Sequence, residues 1–152
     1  MQNLRIGIAG YGIVGKRRHK SLSKITKIKV VAICDKKIKK ERTNSSGIKL
    51  LKNYKKLLIE DIDAIIICMT NDIAPVVTLE AIKKNIHVFC EKPPGRNMED
   101  ILKVIRAYKK KPHLKVMYGF NHRYHYSIDY AKNVIDKKKF GKVISLRGVY
   151  GK

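Results

Sequence analysis

Apolar residues in this chain gather in short runs, and the polar stretches between the runs carry apolar residues at helical spacing. The runs are Leu4–Ala9, Lys29–Cys34, Ile48–Leu51, Asp63–Met69, His87–Cys90 and Lys115–Phe120. After its first acid, Asp63–Met69 is unbroken, as expected of a parallel strand buried on both faces. Three helices stand out between the runs. Lys16 to Lys24 carries Leu22 and Ile25 amid charge, with His19 read as an exposed helix residue. Ala74 to Lys84 has Pro75 in its first turn and turns Ile73, Val77, Ala81 and Ile82 towards a sheet. Met98 to Lys111 is capped by Asn97, with Glu99 and Asp100 suiting its first turn and Lys109 to Lys111 its last. Asn44–Gly47 reads as a turn cluster, and a further helix is expected near Tyr54 to Glu60. Strands alternating with helices give an α/β fold, a doubly wound parallel sheet with right-handed crossovers.

The texture shifts from Tyr124. A helix to about Lys139 carries Ile128, Ala131 and Ile135, Gly141 breaks it, and Val143–Tyr150 partly alternates as a strand with one buried face would. The expected organisation is a domain over 1–121 and the start of a second, α+β domain over 122–152.

The first run breaks into Gly10-Tyr11-Gly12-Ile13-Val14-Gly15, the G-x-G-x-x-G spacing that opens a dinucleotide-binding βαβ unit. Gly10 permits the tight turn, Gly12 lets backbone N–H groups approach a pyrophosphate, and Gly15 lets the helix lie against the sheet. The helix N-terminus then faces the phosphates with free donors and the positive end of its dipole. The run Lys29–Cys34 ends in Asp35, about 20 residues past the last glycine, where an acid takes the adenine ribose hydroxyls. Lys36 or Lys37 would suit a ribose 2′-phosphate, but Asp35 repels one, so NAD is expected ahead of NADP. Thr70-Asn71-Asp72 and Glu91-Lys92-Pro93-Pro94-Gly95 follow two later runs, at strand carboxyl ends where open α/β sheets bind ligands. Lys92, beside two prolines, is the candidate proton-handling residue of a hydride-transfer site; its bland reading is an exposed loop lysine paired with Glu91. His122 and Arg123 either bind substrate oxygens or end a strand as linker residues, and both readings stay open.

Lys+Arg 35 against Asp+Glu 12 gives a net charge of +23, which raises nucleic acid as a partner. The lysines are spread along the whole chain instead of forming one stripe interleaved with aromatics, which suits a solvated surface and nonspecific polyanion binding. No membrane partner is expected, since no apolar run approaches the ~20 residues of a membrane span, and no signal peptide opens the chain. Cys34, Cys68 and Cys90 lack paired short spacings and sit inside strand-like runs. They read as buried thiols of a reducing, cytoplasmic compartment, with no metal site.

The order of G-Y-G-I-V-G, a strand ending in Asp35, C-M-T-N-D at Cys68–Asp72, H-V-F-C-E-K-P-P at His87–Pro94 and G-F-N-H-R at Gly119–Arg123 resembles the N-terminal half of the Gfo/Idh/MocA oxidoreductases. The resemblance implies an NAD(P)-dependent dehydrogenase of a sugar, nucleotide sugar or cyclitol hydroxyl, with a sugar-like small-molecule substrate and a homo-oligomeric full-length form. It implies a Rossmann domain whose cofactor is held by Gly10, Tyr11, Gly12, Ile13, Val14, Gly15, Asp35, Lys36, Thr70, Asn71, Glu91 and Lys92. Lys92 would sit beside nicotinamide and substrate as the catalytic residue, with His122 and Arg123 towards the substrate. The family's T-P-N segment is matched only approximately, with Met69-Thr70 where Thr-Pro is usual and Ala74 in the place of a frequent histidine. The family's antiparallel second half, with its aspartate and histidine, would begin at Val143–Tyr150 and is otherwise absent. A C-terminally truncated chain is therefore expected, binding cofactor with negligible turnover and self-associating through its last strand. A non-catalytic nucleotide-binding module and a basic nucleic-acid-associated protein are the alternatives.

Overall fold

The computed structural model describes residues 3–149 and 151. The chain divides into two compact units between Gly119 and Phe120. In the first unit a seven-stranded sheet is built from β1 (Leu4–Ala9), β2 (Ile28–Cys34), β3 (Arg42–Thr43), β4 (Lys49–Leu51), β5 (Ala64–Ile67), β6 (His87–Cys90) and β7 (Val116–Tyr118). Its order is β3-β4-β2-β1-β5-β6-β7. Every pairing is parallel except β3 with β4. From β1 the chain winds outward through β2 and β4, then returns to the other side of β1 for β5, β6 and β7. The winding reverses between β1 and β5, and ligands of such sheets bind at the carboxyl ends beside that reversal.

The helices are α1 (Ile13–Leu22), α2 (Tyr54–Leu57), α3 (Ala74–Lys83) and α4 (Met98–Lys109). One face of the sheet packs Ala9, Ile65, Ile67 and Val88 against Leu57, Ala74, Val77, Ala81, Ile82 and Val104 of α2 to α4. On the other face Ile6, Ile8, Val30, Ile33 and Ile66 meet Leu22 of α1, Tyr11 and Phe89. Strand residues of alternate parity therefore serve two cores, which is why β1 and β5 read as continuous apolar runs. Burying a side chain such as Leu57 is worth enough that Leu57→Ala would cost roughly 2–5 kcal/mol. On the α1 face Ile6, Leu22, Ala64, Ile66 and Phe89 line an open apolar cleft beside Arg18.

Helix ends follow their capping residues. The Asn97 side chain accepts from Asp100 N at 3.0 Å and starts α4, and Asn53 accepts from Lys56 N at 3.0 Å to start α2. α2 is a single turn, shorter than the expected helix to Glu60. The next residues close i→i−3 bonds, Ile59 N to Lys56 O at 3.4 Å and Glu60 N to Leu57 O at 3.2 Å. Leu57 and Leu58, adjacent in sequence, are both buried, and a tighter turn brings both down at once. The Asn44 cluster is the tip of the β3–β4 hairpin, with Asn44 Oδ1 accepting from Ser46 N at 3.0 Å and Ile48 N at 2.9 Å.

The second unit holds a 3-10 turn, Asn121–Tyr124, and α5 (Tyr126–Asp136). The strand expected at Val143–Tyr150 is not formed over 143–149, and Tyr150 lies outside the described residues. A strand exists only as a member of a ladder, and the sequence pattern that marks one cannot supply the neighbour whose N–H and C=O groups complete it. Its apolar residues stand in solvent instead, Ile144 at 98% exposure and Val149 at 88%.

Candidate functional site

The carboxyl ends of β1, β2, β5 and β6 converge where the winding reverses. Gly10 leaves β1 with φ +90, donating from N to Cys34 O at 2.8 Å. A Cβ on Gly10 would lie 2.8 Å from the Cys68 carbonyl carbon, so the turn passes against the end of β5 at a distance only glycine allows. Gly15 is buried where a Cβ would overlap the Gly10 carbonyl, and this contact seats α1 on the turn. Gly12 is different. It is the N-cap of α1 in extended conformation, and a Cβ there would have nothing within 4 Å. No side chain caps α1 and no acid lies in its first turn. The first-turn N–H groups of a helix lack intrahelical acceptors, so the open space beside Gly12 faces a ready anion site.

Asp35, at the end of β2, reaches across to this turn. Its Oδ2 accepts from Tyr11 N at 2.7 Å and its Oδ1 from Lys37 N at 2.9 Å. Each carboxylate oxygen keeps a lone pair for further donors such as ribose hydroxyls. Lys36 and Lys37 are exposed. The Tyr11 ring turns back onto α1, where its hydroxyl and His19 Nδ1 share a hydrogen bond of 2.7 Å. His19, expected to be exposed, is half-buried, and burial lowers its pKa below the usual imidazole value. Ile13 and Val14 are exposed at the start of α1.

Past β5, Thr70 and Asn71 are exposed, and the Thr70 carbonyl accepts from Ala74 N at 2.9 Å to begin α3. The Thr70 hydroxyl beside Asp72 holds that carboxyl below the usual range. Past β6, Glu91 N donates to Ile67 O at 2.8 Å, and the exposed Lys92 follows, joined to Pro93 by a cis peptide bond. The bland pairing of Lys92 with Glu91 does not occur, because Glu91 is held by Arg18 of α1, whose Nε donates to Glu91 Oε1 at 2.5 Å. The Arg18 Nη2 reaches the same oxygen, and the guanidinium carbon lies 5.3 Å from the Phe89 ring centroid. Sequence reading missed Arg18 and the inward turn of His19. The signal was present, since Gly15, Arg18, His19 and Leu22 form an i, i+3, i+4, i+7 stripe.

Gly10 to Gly12, Asp35, Lys36, Thr70, Asn71, Glu91 and Lys92 thus lie in loops at strand ends of the first unit, and Ile13, Val14 and Gly15 open α1. His122 and Arg123 lie in the 3-10 turn of the second unit, both exposed. Burial pushes the thiols of Cys34 and Cys68 up to about 12 and that of Cys90 to about 11, so they stay neutral and poorly nucleophilic. Among the described residues no group of three metal-ligating side chains assembles, and no helix is long and apolar enough to cross a membrane.

A parallel sheet with a glycine turn opening α1, an open space at the middle glycine and an acid at the end of β2 defines a dinucleotide-binding domain of Rossmann type. The chain belongs to the Gfo/Idh/MocA oxidoreductase family, matching its NAD-binding Rossmann fold over residues 4–120. It is 30% identical to inositol 2-dehydrogenase of Salmonella paratyphi B over 95% of this chain and 45% of that protein. Among solved structures it resembles myo-inositol 2-dehydrogenase from Lactobacillus plantarum, with TM-score 0.80 and 32% identity over 94% of this chain and 44% of that one. A scyllo-inositol dehydrogenase from Lactobacillus casei, solved with bound NAD(H) and scyllo-inositol, matches with TM-score 0.80 and 27% identity over 92% of this chain and 43% of that one. The chain therefore spans a little under half the length of the relatives it matches.

Proposed function

We propose that this chain is the NAD(H)-binding half of a dehydrogenase that oxidises a ring hydroxyl of a cyclitol or sugar. The open space beside Gly12, at the uncapped N-terminus of α1 and next in sequence to Tyr11, whose N donates to the Asp35 carboxylate, carries the reading. The residues fit the cofactor. First-turn amides of α1 bind the pyrophosphate, and Asp35 takes the adenine ribose hydroxyls and disfavours a 2′-phosphate, which supports NAD over NADP. By the resemblance, Thr70, Asn71, Glu91 and Lys92 would hold the remainder of the cofactor, with Lys92 beside the nicotinamide. When bound, the nicotinamide supplies the hydride acceptor.

Lys92 serves the substrate oxygen. An ammonium at a strand end would donate a hydrogen bond to the reacting oxygen, orient the hydroxyl and stabilise the negative charge that develops as its proton leaves to the aspartate and histidine that the resemblance places in the family's second half. Asp35 and Lys92 stand on opposite sides of β1 and β5 in the strand order, as the two ends of an extended dinucleotide require. The inositol dehydrogenases among the relatives support a cyclitol substrate. His122 and Arg123 are proposed to contact substrate oxygens, and a homo-oligomeric full-length form and a cytoplasmic setting belong to the same reading. The spread of basic residues over α1, α2 and α4, with no single stripe, argues against specific nucleic-acid recognition.

The test is titration of the chain with NADH, followed by turnover assays on a panel of inositols and sugars. Saturable NADH binding is expected for residues 1–152. Absence of NADH binding would refute the reading. Extending the sequence with a family second half should bring turnover, and Lys92→Ala should then remove most of it.

A further inference from the structure

We propose that Arg18 is a positioning residue, fixing the Glu91–Lys92 turn to the helix that receives the cofactor phosphates. The inference rests on the NAD(H)-binding reading and adds a device to it. Arg18 lies on the first turn of α1 past Gly15, and two of its nitrogens converge on Glu91 Oε1. The side chains are only 28% and 11% exposed, so water competes weakly for the pair.

Phe89 lies against the guanidinium, its ring centroid 5.3 Å from the guanidinium carbon. Gly119 leaves the other Glu91 oxygen its room, because a Cβ there would lie 2.9 Å from Oε2. The Glu91 backbone is pinned to β5 through Ile67 O at 2.8 Å. The next residue is Lys92. Helix α1 presents the phosphate-facing amides at one end of this construction, and the lysine proposed to serve the nicotinamide end stands at the other. A planar, two-point cation defines their separation in a way that a single-point contact does not.

The affinity of the nicotinamide half should therefore depend on Arg18, while that of the ADP-ribose half should not. The experiment compares dissociation constants of NADH and ADP-ribose for the wild-type chain, Arg18→Met, Arg18→Lys and Glu91→Gln. Methionine keeps apolar volume over Phe89 and removes the charge. The expected result is ADP-ribose affinity within about twofold of wild type and an NADH advantage over ADP-ribose reduced by about tenfold in Arg18→Met. Arg18→Lys should recover part of that advantage. Glu91→Gln, nearly isosteric, carries the same test if Arg18→Met does not fold. Parallel losses of both affinities would reduce Arg18 to a stability residue and overturn the proposal, as would an unchanged ratio. Wild-type chain without NADH affinity would instead overturn the reading of the whole site.

Discussion

Gly12→Val separates ligand binding from folding at a single position. The native backbone there is extended, with φ −75, so a β-branched residue fits without strain. Nothing lies within 4 Å of the added Cβ, so that atom enters open space and displaces no native contact. The remaining folding cost is the poorer N-cap, on the order of 1 kcal/mol or less. For a domain of this size that shifts Tm by about 2–4 °C. On the binding side the side chain fills the space that the α1 amides face. A hydrogen bond to a charged group is worth roughly 1.5–3 kcal/mol, and displacing a phosphate from one or two of them weakens NADH by at least about tenfold. NADH fluorescence titration beside a thermal melt measures both quantities. Gly10→Ala is the control with the opposite outcome, since φ +90 and the Cys68 carbonyl at 2.8 Å force the turn apart and lower Tm before any ligand is added. If Gly12→Val bound NADH as wild type does while remaining folded, the phosphates do not lie against this turn.

Asp35→Ala should weaken NAD and narrow the gap to NADP, and since Asp35 also accepts from Tyr11 N at 2.7 Å it should lower Tm as well; equal NAD and NADP affinities in the wild type would show that Lys36 and Lys37 override the carboxylate. The cysteine thiols should resist iodoacetamide at pH 8 in the folded chain and react once it is unfolded, because burial holds Cys34 and Cys68 near 12 and Cys90 near 11. Their raised values favour the neutral thiol in the fold, so this part of the stability is intact below about pH 9 and is lost as pH rises towards 12, where the unfolded chain ionises first. A melting temperature that did not fall between pH 9 and 11 would contradict that burial.

Legibility differed from one element to the next. The doubly wound sheet could be read because strands buried on both faces need unbroken apolar runs, and α3 and α4 because Pro75 and Asn97 mark their starts. Of the site, the glycine turn and Asp35 were legible because their spacing is set by backbone geometry within one βαβ unit. Arg18 was not, although its helical stripe was visible, because its partner Glu91 is brought to it by the folding of the intervening sheet.

The sequence alone therefore determined what depends on neighbours along the chain: the strand and helix periods, the caps, and the left-handed turn at Gly10. Tertiary structure decided what depends on distant partners. It gave Glu91 to Arg18 and left Lys92 exposed, turned His19 inward onto the Tyr11 hydroxyl, and linked Asp35 to the turn it faces. It also decided against a strand over 143–149. An apolar-polar alternation specifies which face a strand would bury, and only a neighbouring strand can satisfy the backbone groups that make it one.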